Sequence, residues 1–178
     1  MLVRLLLVAG LLVVACGSPA DPSTLDAPAR SEAVDGRFGL AFELPRTTWT
    51  TREAVEGQAA LLLLGNGRTE IGASGAGPIA FSIIEVGGAR AMGAASTADC
   101  ATHVLSATEP ITSRITKSGG WSEDDPNAAF YEAFFADPAL HLPPGTWDIT
   151  AVATFIEGRG CAGASHDLSA TIRITVTD

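Results

Sequence analysis

Lysine is nearly missing from this chain. Lys117 is the one lysine among 11 basic residues, which face 20 acidic ones and leave a net charge of −9. Nucleic-acid recognition depends on clustered Lys and Arg that neutralise phosphates, and an acidic chain without a basic stripe excludes it. The same deficit excludes a polybasic membrane patch. What the negative charge does supply is solubility. Catalytic signatures are missing as well: there is no G-x-S-x-G elbow, no H-E-x-x-H helix and no phosphate-cradling glycine loop. Aromatics make up 6%, with one Tyr and three Trp, and cysteine occurs three times. No apolar run reaches the roughly 20 residues that a transmembrane helix needs. No internal repeat is visible, and nothing after Gly36 is low in complexity.

What is present starts with an address. Residues 1–15 read M-L-V-R-L-L-L-V-A-G-L-L-V-V-A, with Arg4 ahead of an apolar run, which fits the core of a secretory signal. The segment closes on Val13-Val14-Ala15-Cys16, followed by Gly17-Ser18. This resembles the lipobox of bacterial lipoproteins, with Val13 standing where leucine is usual. The resemblance covers the first 18 residues. It implies that Cys16 is the first mature residue and carries a thioether-linked diacylglycerol, an anchor of two acyl chains. From there to residue 36 the composition turns to Pro, Ser, Ala, Asp and Thr. That stretch reads as a tether, with the folded domain spanning residues 37–178.

The folded part is organised around residues 142–156, L-P-P-G-T-W-D-I-T-A-V-A-T-F-I. Trp147, Ile149, Ala151, Ala153 and Phe155 alternate with polar residues, the period of a half-buried strand. Leu168, Ala170, Ile172, Ile174 and Val176 repeat the pattern across a glycine-rich loop, so a C-terminal hairpin is expected. Upstream, Phe38 to Leu44 alternates, and residues 47–51 are β-branched and aromatic. Residues 59–64 form a continuous apolar run, expected as a strand buried on both faces. Residues 79–86, a short return at 89–92, and 111–116 supply further strands. Asp125-Pro126 reads as a helix start, with Phe130/Phe134 and Tyr131/Phe135 pairs beyond it and Asp137-Pro138 at its end. A helix is favoured there over an edge strand. Some seven strands with one late helix make an all-β sandwich in a chain long enough for one domain. The order resembles the immunoglobulin-like domains of bacterial surface proteins over residues 38–178. That likeness implies a shape and not an activity.

Cys100 and Cys161 remain once Cys16 is lipidated, and two cysteines in a secreted chain pair. Both fall at the end of the sandwich where the Trp147 strand exits. Zinc binding through Cys100, His103, Cys161 and His166 is the weaker alternative, since zinc needs four ligands and Cys161 has only His166 near it in sequence. Glu123, Asp124, Asp125 and Asn127 concentrate oxygen ligands of the kind calcium takes, yet the same carboxylates suit a helix N-terminus without an ion. Ser165-His166-Asp167 contains triad residue types, but neighbours on an extended strand point apart. His141 reads as a loop residue. Trp121 sits in a loop, where an aromatic can anchor a partner. Trp121 with Glu123, Asp124, Asp125 and Asn127 is therefore the candidate partner-binding loop, and neither a cofactor nor a metal is expected. The sequence points to a lipid-anchored, extracytoplasmic, non-catalytic module that binds an envelope protein or glycan. The alternative is a structural lipoprotein without a ligand of its own.

Overall fold

A computed structural model describes residues 27–178; Cys16 and the signal segment lie outside the described residues. Eleven strands and one helix follow in order. They are β1 (Ala29–Asp35), β2 (Phe38–Leu44), β3 (Thr48–Thr50), β4 (Gln58–Leu63), β5 (Arg68–Ala73), β6 (Ile79–Glu85), β7 (Ala91–Met92), β8 (Ala101–Ser106), β9 (Ile111–Arg114), α1 (Ala128–Ala136), β10 (Gly145–Glu157) and β11 (Ser165–Thr177). They form two sheets. One is ordered β1-β2-β4-β9, and the other runs β3-β11-β10-β5-β8 with β6 and β7 alongside. The protein is an all-β sandwich. Among the described residues no helix is long and apolar enough to cross a membrane.

The hairpin expected from alternation is the spine of the second sheet. β10 pairs with β11 from Gly145↔Val176 to Ile156↔Ser165. Its inward residues Trp147, Ile149, Ala151, Ala153 and Phe155 are all buried. On its other edge β10 pairs first with β6, from Trp147↔Glu85 to Ala153↔Ile79, and then with β5 at Ile156↔Gly72 and Glu157↔Ile71. β5 and β6 thus act as one strand interrupted by residues 74–78. That excursion needs partners for its backbone. Ser74, buried, supplies several: its Oγ lies 2.6 Å from Thr97 Oγ1 and accepts the Ala76 N–H at 3.2 Å. Asp99 accepts the Gly75 N–H at 3.2 Å, and His103 Nε2 meets the Ser74 carbonyl at 2.9 Å. Facing β10, the first sheet presents Phe38, Leu40, Phe42 and Leu44 from β2, with Ala59, Leu61 and Leu63 from β4. Phe38 meets Phe155 edge-on at 4.9 Å between ring centroids, and Phe42 meets Phe81 at 5.9 Å, closing the core between the layers.

Three strand expectations are corrected. Residues 29–35, expected as the end of the tether, form β1 and pair along their length with β2. Small Ala29 and Ala33 pack on the core while Arg30, Glu32 and Val34 are exposed, so the strand has almost no hydrophobic signature. β4 is buried on one face only: Ala59, Leu61 and Leu63 point inward, whereas Ala60 and Leu62 are half-buried. β5 and β8 are additional strands whose sequences, R-T-E-I-G-A and A-T-H-V-L-S, are too polar to stand out.

Cys100 and Cys161 form a disulfide with Cα atoms 6.3 Å apart. It straps the β10–β11 loop, where Gly158, Gly160 and Cys161 all take positive φ, to the segment entering β8. Gly72 makes the close approach possible, because a Cβ there would sit 2.6 Å from the Cys161 nitrogen. With the cysteines 61 positions apart in sequence, replacing both by alanine is expected to lower stability by about 4 kcal/mol in the chain-entropy account. Urea melts with unchanged far-UV circular dichroism would show this; a loss below about 1 kcal/mol would mean that closing this loop adds little.

Candidate functional site

The end of the sandwich opposite the disulfide is built around α1, and its construction starts with sequence. A-A-F-Y-E-A-F-F-A is rich in good helix formers and places Tyr131 and Phe134 on the buried side. The helix starts later than Asp125-Pro126 suggests. Asn127 occupies the N-cap position without a side-chain cap bond. Asp125 instead turns the chain: its Oδ1 accepts the Asn127 N–H at 2.7 Å, and its carbonyl accepts the Ala128 N–H at 2.9 Å. The helix ends at Asp137, ahead of Pro138, as expected.

Three fastenings hold this helix down. The Tyr131 hydroxyl donates to the Ala91 carbonyl at 2.9 Å and accepts the Ala91 N–H at 2.8 Å, which joins α1 to β7. Lys117, the single lysine, donates to the carbonyls of Phe134 and Asp137, the latter at 2.7 Å, and its Nζ lies 4.2 Å from the Phe134 ring centre. It meets the negative end of the helix dipole and two orphan carbonyls at once. Burial pushes the pKa of this ammonium down, while Asp137 pulls the other way. The third fastening is Arg90, whose guanidinium lies 5.1 Å from both the Phe130 and Trp147 ring centres and makes two bonds to Glu85, one at 2.8 Å. Trp147 Nε1 donates to the Pro143 carbonyl at 3.1 Å. Helix, β6–β7 turn and the start of β10 are therefore one polar-aromatic assembly.

Two clefts open at this end. The larger, of about 860 Å³, has Leu44, Val55, Ile115 and Leu140 in its walls and Arg30, Glu43, Gln58 and Arg114 among its polar groups. Arg30 is paired with Glu43 and Glu32. Segments around β1, β2, β4, β9 and residues 138–140 all contribute, which is why no contiguous motif announces it. The smaller cleft, of about 280 Å³, lies between Phe130, Phe134, Lys117, His141 and Pro143. His141 Nδ1 is 2.6 Å from Asp137 Oδ2; that bond and the Ala139 N–H hold the Asp137 carboxyl below its usual range.

The residues singled out in sequence fall elsewhere. Trp121, Glu123, Asp124, Asp125 and Asn127 line neither of these clefts. Trp121 is 38% exposed, and Glu123 and Asp124 are exposed in the turn before α1. Cys100 and Cys161 are joined to each other, His103 serves the Ser74 carbonyl, and among the described residues no three His, Cys, Asp or Glu side chains are grouped to hold a metal ion. His166 turns inward between Phe38 and Phe155, with Nδ1 2.6 Å from Asp35 Oδ2, while Ser165 and Asp167 on either side of it are exposed. Nε2 of His166 is buried, and Glu157 Oε2 stands 3.5 Å away, beyond a good hydrogen bond. The ring is part of a clasp between the β1–β2 turn and the β10–β11 loop, completed by the Arg37–Glu157 pair.

The Glu85–Arg90 pair gives this end a defined pH response. Hydrogen bonds from Arg90 hold the Glu85 carboxyl below the ordinary glutamate value of 4.5. A depressed carboxylate contributes stability that is complete above its unfolded value and lost as pH falls through the folded one. Glu85→Gln is expected to cost about 2 kcal/mol at neutral pH, and the gap from wild type is expected to close in acid below the ordinary glutamate value. Urea melts of both proteins at the two pH values check this; an equal gap at both would contradict it.

Comparison with protein-family models, curated proteins and solved structures finds no match to this chain.

Proposed function

We propose that the protein is a lipid-anchored, extracytoplasmic binding module, held to the cell membrane or outer membrane through Cys16, that captures an envelope protein or glycan without catalysis. The larger cleft carries this reading. Its volume, about 860 Å³, lies in the range of ligand sites, and apolar walls with a few polar groups suit recognition. The non-catalytic part is supported by the use already made of the reactive side chains: His166 in the Asp35 clasp, His103 on a backbone carbonyl, Cys100 and Cys161 in the disulfide.

An immunoglobulin-like arrangement fits the pairing order. β2 pairs with β4 in one sheet, and between them the chain crosses so that β3 lies parallel to β11 in the other. β9 pairs with β4, and the helix falls in the connection before the final hairpin. Sandwiches of this kind bind through one end, and here the cleft occupies the helix end.

A secreted Cys16→Ser form is expected to capture a partner from envelope extract. Ala139→Trp, which adds an indole at the wall of the cleft, is expected to abolish capture, and Trp121→Ala to retain it. Equal capture by wild type and Ala139→Trp would remove the cleft from the account. Loss with Trp121→Ala alone would move recognition to the loop before α1.

A further inference from the structure

We propose that β8 joins two copies of this chain edge to edge across a two-fold axis, with Val104 of one opposite Val104 of the other. The inference needs neither lipid at Cys16 nor the larger cleft, since no residue of β8 lines that cleft. β8 ends the order β3-β11-β10-β5-β8, and among the described residues its ladder runs to β5 alone. The Ala107 N–H donates to the Gly67 carbonyl at 3.0 Å, which sets the alternation. Ala101, His103 and Leu105 turn their backbone groups to β5, and Thr102, Val104 and Ser106 turn theirs to the open edge. Glu70, opposite Val104, keeps the same phase: its carbonyl faces away from β8 and accepts the Gly158 N–H at 2.9 Å. On the open edge the Ser106 carbonyl accepts the Glu109 N–H at 3.3 Å and keeps a second lone pair.

An open edge is a template for another strand, and proteins blunt such edges with charge, proline or brevity. Other edge strands of this sandwich carry those devices. β1 exposes Arg30 and Glu32, and β9 has Pro110 before it and Arg114 at its end. β11 exposes Asp167 and Arg173 beyond the residues that β3 covers, and β3 and β7 have only three and two residues. β8 reads A-T-H-V-L-S and contains no Asp, Glu, Lys, Arg or Pro. Its outer face shows Thr102 and Val104, and Val104 is 56% exposed. Antiparallel pairing centred on Val104 engages all three outward residues. Val104 exchanges both backbone bonds with its copy, the two valine side chains cover each other, and Thr102 stands opposite Ser106 on either side of the axis. A register shifted along the edge leaves one of the three unmatched. A strand that complements itself and sets no like charges face to face fits a second copy, and a two-fold contact of this kind closes on itself.

Sedimentation equilibrium of the full chain, in detergent at matched solvent density, reports the protein mass. Wild type is expected at the mass of two chains. Val104→Lys and Val104→Glu each place like charges opposite one another at the axis. Each is expected to weaken the dimer by at least about tenfold and to sediment as a single chain. The far-UV spectrum is expected to stay unchanged, as suits an exposed position. Mixing the two variants is expected to restore the double mass, because Lys then faces Glu. A wild type of single-chain mass at every concentration would overturn the pairing and leave β8 to a strand of another protein. Double mass in either variant alone would overturn it in favour of another surface. Variants that stay single on mixing would overturn the register centred on Val104.

Discussion

The structure depends on one strand being paired along both edges. β10 holds β11 on one side for its full length and β6, then β5, on the other, while its inward face carries Trp147, Ile149, Ala151, Ala153 and Phe155 into the core. Removing β10 would leave the second sheet in two pieces. The constraint explains the interruption between β5 and β6. Between the β6 and β5 registers the upstream strand carries four residues more than β10, so the chain loops out around residues 74–78, and Ser74, Asp99 and His103 satisfy backbone groups that the ladder abandons. It also explains the ends. Because β10 crosses the whole sandwich, the helix assembly sits at its start and the disulfide loop at its finish.

The two ends are built from different forces. At the finish, covalent closure and the Asp35–His166 contact hold turns that contain little apolar surface. At the start, aromatic rings and cations act together. Arg90 lies between Phe130 and Trp147, Lys117 sits on Phe134, and Arg46 stands over Trp49 at 4.1 Å. Such contacts are stronger where water is excluded, and Arg90 has the additional neutralising partner Glu85. Exposed pairs such as Arg159–Glu70 add little by comparison. The chain enters the sandwich at this same end, beside the clefts.

Legibility in the sequence follows burial contrast. β2, β6, β10 and β11 place apolar residues at every second position, with small or polar ones at most positions between, and period alone reveals each of them; the C-terminal hairpin and the pairing of Cys100 with Cys161 follow. β1 is not legible because its inward residues are Ala29, Ser31 and Ala33, which carry no more hydrophobic signal than a tether does. In β5 the core is touched mainly by Ile71 and Ala73, in β8 mainly by Leu105, too few points to define a period. The helix is legible from its aromatic pairs, but its first turn is displaced because Asp125 serves a turn and not a cap. The larger cleft has no local signature at all. Five segments, distant in sequence, meet there, four of them in or beside strands of the first sheet, and its polar groups Arg30 and Arg114 belong to strands whose signal is absent or weak.

Native-state hydrogen exchange tests the central role of β10 most directly. The amides from Ile149 to Ala153, paired on both sides, are expected to exchange only through global unfolding, with the same free energy that denaturant melts give. Those of β1 and β9, at the edges of the first sheet, are expected to open earlier. If the β10 amides exchanged through cheaper local openings, or if those of β2 and β4 outlasted them, the sandwich would not be organised around this strand.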